Sequence, residues 1–134
     1  MNVVVDASLV VGALVDRDIE GRWALALLHG NDLVAPHVLH GEVASALARL
    51  ERSGRLSGEE ATACVDEVRH VPVTLVPFDS LSDRIWELRN SLSIDDAWYV
   101  ARAERSGMPL ATLDGRVARS PGPTCKFLTT PTTR

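Results

Sequence analysis

Four carboxylates in this 134-residue chain stand where their side chains could share one site. Asp6 follows the apolar run Met1–Val5, and Asp114 follows Leu110–Thr112, two short segments typical of strands buried in a parallel sheet. The carboxyl ends of parallel strands meet at one edge of a sheet, which predicts that these two acids lie together. An Asp at such a position also serves as a helix N-cap or turn residue, so each acid alone has a structural explanation. The candidate set is Asp6, Glu42, Asp96 and Asp114.

The other two members of the set fall on predicted helices. Asp96 precedes apolar residues at helical intervals of four and seven, so its charge projects along an apolar face, where burial is costly without compensation. Its neighbour Asp95 shares a stripe with Tyr99 and Arg102, which is predicted to face solvent. Glu42 borders the apolar stripe of its helix, where a solvated flanking position is the competing interpretation. Periodicity therefore favours Asp96 over Asp95.

Carboxylates that converge on one cleft repel one another and take up protons unless a cation lies among them. Hard divalent ions such as Mg2+ and Mn2+ prefer oxygen ligands of this kind. Such ions support phosphodiester hydrolysis by activating water and stabilising the leaving oxygen. The acidic set thus favours metal-dependent phosphodiester hydrolysis.

Other chemistries are disfavoured. The sequence contains no GxGxxG or GxxxxGK[ST] phosphate loop and no GxSxG nucleophile elbow. His37 and His40 form a short pair, but nothing nearby completes a zinc site. Cys64 and Cys125 are far apart in sequence, which predicts two reduced thiols packed in or near the core.

Length and composition favour one soluble domain. With 46% hydrophobic residues, the chain can form one compact core and is too short for two. It contains no apolar run of eighteen residues and no secretory signal pattern, which predicts a cytoplasmic protein. The formal net charge of -4 argues against a protein that coats nucleic acid by charge alone.

Strand and helix patterns alternate along the chain. This order predicts an α/β fold with an open parallel sheet of about five strands and helices on both faces. The predicted strands are Met1–Val5, Leu33–Ala35, Val73–Val76, Leu110–Thr112 and Lys126–Thr129, followed by a polar Thr/Pro tail. The predicted helices are Leu9–Val15, Arg22–Leu28, His37–Arg52, Ser57 to about His70, one with Leu81, Ile85 and Leu88 on one face, and Ser93 to Gly107. The second is expected to end near Gly30-Asn31, and the third to have Pro36 in its first turn. A capping box opens the fourth, and Asp79 or Ser80 is expected to cap the fifth.

Four ordered segments carry a family resemblance. Val4–Ser8, Pro36–Leu47, Asp96–Ala103 and Pro109–Asp114 resemble successive motifs of the PIN domain, and the match to VapC-type toxins is close. The resemblance implies one PIN domain over residues 1–134, with a five-stranded parallel sheet and a homodimeric assembly. It also implies that the acidic quartet binds Mg2+ or Mn2+ and that Ser8 and Thr112 support the metal site. Val117 is apolar where some relatives carry a further carboxylate, so a second metal remains an open question.

The resemblance further implies a function. The implied protein is a Mg2+- or Mn2+-dependent endoribonuclease and the toxin of a type II toxin–antitoxin system. A VapB-type antitoxin is expected to block its cleft. Transfer, ribosomal and messenger RNA are all compatible targets. A non-catalytic interaction module with the same fold is the alternative, and a phosphoacceptor receiver domain is a weaker one. The candidate arginines for a phosphate-binding rim are Arg84, Arg89, Arg102, Arg105, Arg116 and Arg119.

Overall fold

A five-stranded, all-parallel sheet forms the centre of the molecule. The computed structural model describes residues 1–131. Its strands are β1 (Asn2–Val5), β2 (Asp32–Pro36), β3 (Val73–Val76), β4 (Leu110–Ala111) and β5 (Phe127–Leu128). Their order in the sheet is β3-β2-β1-β4-β5, which confirms the predicted open parallel sheet. The chain moves outward from β1 to β3 and then returns to the other side of β1, so a topological switch point lies between β1 and β4.

Seven α-helices connect the strands within residues 1–131. They are α1 (Ala7–Val15), α2 (Ile19–Gly30), α3 (Leu39–Arg52), α4 (Gly58–Val68), α5 (Ser82–Glu87), α6 (Ile94–Ser106) and α7 (Gly115–Arg119). Short 3-10 turns, Phe78–Ser80 and Leu88–Asn90, flank α5. Among these residues no helix is long and apolar enough to span a bilayer.

The core lies on both faces of β1. Val3, Val4 and Val5 have no exposed surface, as expected for the central strand of a parallel sheet. Helix α1 contributes Leu9 to this core, and α6 contributes Val100. Both helices begin directly beyond the carboxyl edge of the sheet, so packing of the core fixes where their first residues lie.

Local signals in the sequence fix several helix ends as predicted. The Ser57 side chain accepts from the Glu60 backbone N–H while the Glu60 carboxylate accepts from the Ser57 N–H, which completes the capping box of α4. The Ser93 hydroxyl caps α6 by accepting from the Asp96 N–H. Gly107 ends α6 with a left-handed φ of 66°, a conformation that suits glycine. Ordered caps at both ends hold α6 in a defined register against the sheet.

Other element boundaries differ from the predictions. Pro36 is the last residue of β2 rather than part of a first helical turn. The predicted caps at Asp79 and Ser80 are wrong, because these residues form a 3-10 turn and Leu81 occupies the N-cap of α5 without a side-chain bond. Asn31 follows α2 in an extended conformation, not a left-handed one.

The last predicted strand and the two predicted free thiols are both present. The strand predicted at Lys126–Thr129 is present but shorter, as β5. The polar tail lies partly outside the described residues. Cys64 and Cys125 are free thiols, with Cys64 buried and Cys125 half-buried, as predicted.

Candidate active site

Asp6 occupies the carboxyl end of the central strand and also the N-cap of α1, and its role as a metal ligand stays a prediction. Its Oδ1 accepts hydrogen bonds from the Leu9 N–H at 3.0 Å and from the Ser8 hydroxyl at 2.7 Å. Its Oδ2 accepts from the Thr112 hydroxyl at 2.5 Å. The side chain is almost fully buried, with 6% of its surface exposed. Three donors therefore hold this carboxylate in one orientation.

Burial changes the acidity of Asp6. Desolvation raises its pKa from 3.8 to about 6, although the hydrogen bonds from Thr112, Ser8 and Leu9 oppose that rise. The negative charge of Asp96 adds to it. The donors around Asp6 stabilise its ionised form but do not offset the loss of water.

Glu42 lies in the first turn of α3, half-buried, and accepts a short hydrogen bond from the Tyr99 hydroxyl. The pKa of Glu42 is raised from 4.5 to about 7, chiefly by burial. The charges of Asp95, Asp96 and Asp6 add to this rise, and the Tyr99 bond opposes it. A carboxyl group with this pKa is only partly ionised near neutral pH. Glu42 therefore faces more negative charge than its single donor compensates.

Asp96 lies in the first turn of α6 and is half-buried, whereas Asp95 is exposed. This difference agrees with the apolar-face position that helical periodicity predicts for Asp96, and its role as a ligand stays a prediction. Burial raises the pKa of Asp96, the bond with Ser93 lowers it, and the charges of Asp114 and Asp95 raise it. Asp96 thus projects toward the other acids.

Asp114 is the N-cap of α7, a five-residue helix that stands where the sequence predicts only a turn. Its carboxylate binds the Arg116 guanidinium through two bonds of 3.1 and 3.0 Å and accepts from the Arg116 backbone N–H at 3.0 Å. These bonds with Arg116 lower the pKa of Asp114. Of the four acids, Asp114 is the one with a cationic partner in direct contact.

Pairwise electrostatic interactions connect the four predicted acids into one set. The charge of Asp96 acts on Asp6, that of Asp114 acts on Asp96, and those of Asp6 and Asp96 act on Glu42. Convergence at the switch point follows from the topology, because β1 and β4 are adjacent and both end there.

The donor set fits a hard divalent cation in chemistry, since it consists of carboxylate oxygens with uncompensated charge. In their present rotamers, however, no three acidic, histidine or cysteine side chains among residues 1–131 form a group that could hold a metal. Glu42 is turned toward Tyr99 and Asp114 toward Arg116. The residues fit the cation by charge and ligand type, and the Tyr99 bond leaves Glu42 within range of the charges of Asp6 and Asp96.

Ser8 and Thr112 both contact Asp6. The Ser8 hydroxyl also accepts from the Leu113 N–H at 3.1 Å, and the Thr112 hydroxyl accepts from the Asp114 N–H at 2.9 Å. These bonds link the residues after β1 to the residues after β4. The two hydroxyls therefore fix the spacing of Asp6 and Asp114 at the switch point.

Tyr99 is the site residue that the sequence interpretation missed. The stripe it shares with Asp95 was expected to face solvent, but Tyr99 is only 2% exposed and its hydroxyl reaches Glu42 on another helix. It stands three positions after Asp96, so the two residues lie on neighbouring parts of one helix face. That spacing, in the only tyrosine of the chain, is the signal that would have identified it.

A groove of about 360 Å3 opens beside the acids, between α1 and α3. Ser8 and Glu42 line the end next to the acids, and Asp16 and Arg49 also line the groove. Glu42 and Arg49 are seven residues apart, which places them on one face of α3 about 10 Å apart along its axis. The groove therefore connects the acidic cluster to a basic side chain.

The predicted arginine rim is only partly near this site. Arg116 and Arg119 act electrostatically on Asp114. Arg84 instead binds Glu104 at 2.6 Å, two turns along α6 from Asp96. Arg89 lies over the Trp86 ring at 4.5 Å. Local partners on α5 and α6 account for Arg84 and Arg89, and Arg49 was not among the predicted residues.

Comparison with known proteins assigns the family. The family model described as the PIN domain matches residues 3–122. This chain belongs to the PIN-domain family. The matched region contains all four acids, strands β2 to β4 and β1 from Val3 onward.

Relatives at the sequence level are VapC proteins. Ribonuclease VapC3 of Mycobacterium tuberculosis is 39% identical over 118 residues, covering 88% of this chain and 86% of that protein. Ribonuclease VapC9 of the same organism is 36% identical over 129 residues, covering 96% and 98%. Among solved structures, a chain of VapBC2 from Rickettsia felis, bound to a promoter DNA fragment, superimposes with a TM-score of 0.68 at 13% identity, covering 96% and 98%. At 13% identity, the similarity to the VapBC2 chain concerns the fold alone.

Proposed function

We propose that this PIN-domain protein is a Mg2+- or Mn2+-dependent endoribonuclease that acts as the toxin of a toxin–antitoxin pair. Its relatives are ribonucleases, which supports RNA as the substrate. The observation that carries the metal dependence is the convergence of four carboxylates, two of which have a pKa raised to about 6 and about 7. Such a cluster is unfavourable without a cation and suits one well.

Asp6, Glu42, Asp96 and Asp114 are the residues that would hold the ion. Once bound, a divalent ion supplies a water of lowered pKa and neutralises charge on the phosphate oxygens. Ser8 and Thr112 keep Asp6 oriented through their bonds to its two oxygens. Near neutral pH the Glu42 carboxyl holds a proton part of the time, and it would have to lose that proton to serve as a ligand.

The groove beside the acids offers a path for the RNA backbone. Arg49 lines it without a side-chain partner among the hydrogen bonds and ion pairs of residues 1–131, and its side chain is exposed. A guanidinium about 10 Å along α3 from Glu42 is suited to bind a phosphate neighbouring the scissile one. Arg49 would give a phosphate a local cationic contact in a groove that Asp16 and Glu42 also line, so RNA binding would not depend on the net charge of the whole chain.

Partners follow from the same family. A VapB-type antitoxin is the proposed partner, supported by the similarity in fold to a chain of VapBC2. A basic residue of that antitoxin entering the acidic cluster would replace the cation. The homodimer and the cytoplasmic location stay predictions.

The proposal is tested by incubating the purified chain with total bacterial RNA, with Mn2+ or with EDTA. Cleavage is expected with Mn2+ and not with EDTA. Asp96→Asn should lower the rate at least about a hundred-fold, because it removes a half-buried ligand. The matched control Asp95→Asn, one position away and exposed, should leave the rate within about two-fold. Cleavage that persists in EDTA, or in a chain carrying both Asp6→Asn and Asp96→Asn, contradicts the mechanism.

A further inference from the structure

Among the described residues Glu42 accepts one side-chain hydrogen bond, whereas Asp6 and Asp114 each accept several. Asp6 is fixed by its own helix start and by two nearby hydroxyls, and Asp114 by the backbone N–H of Arg116. The Glu42 carboxylate instead accepts its hydrogen bond from Tyr99, a side chain on a different helix 57 positions away. Glutamate also has one more rotatable bond than aspartate, so more conformational freedom must be lost to hold it in place.

The Tyr99 side chain is fixed in position and can therefore restrain Glu42. Its ring is packed in the core with 2% of its surface exposed, so the hydroxyl has a fixed position. It lies one turn from Asp96 on the same helix, α6. The bond from Tyr99 thus links Glu42 on α3 to α6, the helix that carries Asp96.

We infer that Tyr99 is a positioning residue for the divalent cation, holding Glu42 in reach of the site through the hydrogen bond from its hydroxyl. The inference rests on the proposed metal-dependent function. Tyr99 itself contacts neither metal nor RNA in this role. Residues that orient metal ligands typically contribute about ten-fold or more to metal affinity, and a tyrosine hydroxyl that orients a ligand belongs to that class.

The experiment measures Mn2+ binding by calorimetry in the wild type, Tyr99→Phe, Glu42→Gln and the double variant. Phenylalanine keeps the buried ring and removes only the hydroxyl. Tyr99→Phe is expected to weaken Mn2+ binding about ten-fold. In the Glu42→Gln background the same change should have no further effect, because the ligand that Tyr99 orients is already altered.

A second measurement does not depend on affinity. Since the chain contains one tyrosine, incorporation of 3-fluorotyrosine gives a single 19F resonance at position 99. Addition of Mg2+ should shift that resonance in the wild type and much less in Glu42→Gln. Circular dichroism of each variant checks that the fold is retained.

The outcomes separate this inference from the proposed function. If the wild type binds Mn2+ and Tyr99→Phe binds equally well, the positioning role is wrong and the metal-dependent function stands. The role is also wrong if the loss in Tyr99→Phe persists in the Glu42→Gln background, which would indicate a general structural effect. If the wild type binds no Mn2+, both proposals fail.

Discussion

The Thr112 hydroxyl donates to Oδ2 of Asp6 at 2.5 Å, although the two residues are 106 positions apart in the chain. Both lie just beyond strand ends, Asp6 after β1 and Thr112 after β4, and both are buried. The same hydroxyl accepts from the Asp114 backbone N–H. One side chain thus orients the first acid of the cluster and fixes the turn that presents the last.

Replacement of Thr112 by valine keeps its shape and removes this bond. The buried Asp6 oxygen then lacks one donor, so the free energy of unfolding should fall by about 1–3 kcal/mol. Urea denaturation at pH 8 measures the change. Thr74→Val is the matched control, since Thr74 is exposed on the edge strand β3; a loss in Thr74→Val as large as that in Thr112→Val would contradict this explanation.

The stability of the metal-free protein should fall as the pH rises from about 5 to about 8. The folded-state pKa values of Asp6 and Glu42, about 6 and about 7, lie above their ordinary values of 3.8 and 4.5. The folded chain therefore holds more protons than the unfolded chain between these values, and protonation favours folding in that window. Asp114 and Glu104 have lowered pKa values, but their contribution is lost only at more acidic pH.

Thermal unfolding in EDTA across this pH range measures the effect. Glu42→Gln should flatten the curve, because it removes one of the two groups. Mg2+ should stabilise the protein more at pH 8 than at pH 5, since cation and protons compete for the same oxygens. A midpoint that rises with pH in EDTA would show that the two carboxyls are not raised in the folded state.

The fold could be predicted from sequence because its signals are local. Single elements are predicted by the β-branched run Val3–Val5, by the capping box at Ser57 and by Gly107 at the end of α6. The acids Asp6 and Asp114 could be placed together because strand ends in a parallel sheet share an edge. These inferences need only the periodicity of one segment and a topological rule.

The missed contacts depend on three-dimensional packing. Tyr99 reaches Glu42 only because α3 and α6 lie against the same end of the sheet, a distance that no single-helix pattern contains. Asp114 opens a helix where Asp-Gly indicated a turn, and Arg116 folds back onto it. Arg49 becomes a candidate only when α1 and α3 are seen to enclose a groove. Partners from distant segments decided the cases of Tyr99 and Arg49, whereas Arg116 is only two positions from Asp114.

Arg49→Gln should weaken RNA binding without slowing the chemical step. Loss of one phosphate contact raises KM and reduces the slope of log KM against log salt by about 0.7 to 1. Cleavage rates at several salt concentrations measure both quantities. Arg52→Gln is the control, because Arg52 is exposed at the end of α3 and does not line the groove. Equal effects in the two variants would mean that net charge alone, and not the groove, attracts RNA.

Gly21 permits the tight turn between α1 and α2 that brings Asp16 to the mouth of the groove. A Cβ at position 21 would lie 2.0 Å from the Asp16 carbonyl oxygen, whereas one at Gly30 would meet nothing within 4 Å. Gly21→Ala should therefore lower the free energy of unfolding by at least about 2 kcal/mol, since backbone atoms must move. Gly30→Ala, in the last turn of the same helix, should be neutral or slightly stabilising because alanine favours helix. Urea denaturation of both variants compares them, and a Gly21→Ala chain as stable as the wild type would show that this turn is not held by close packing.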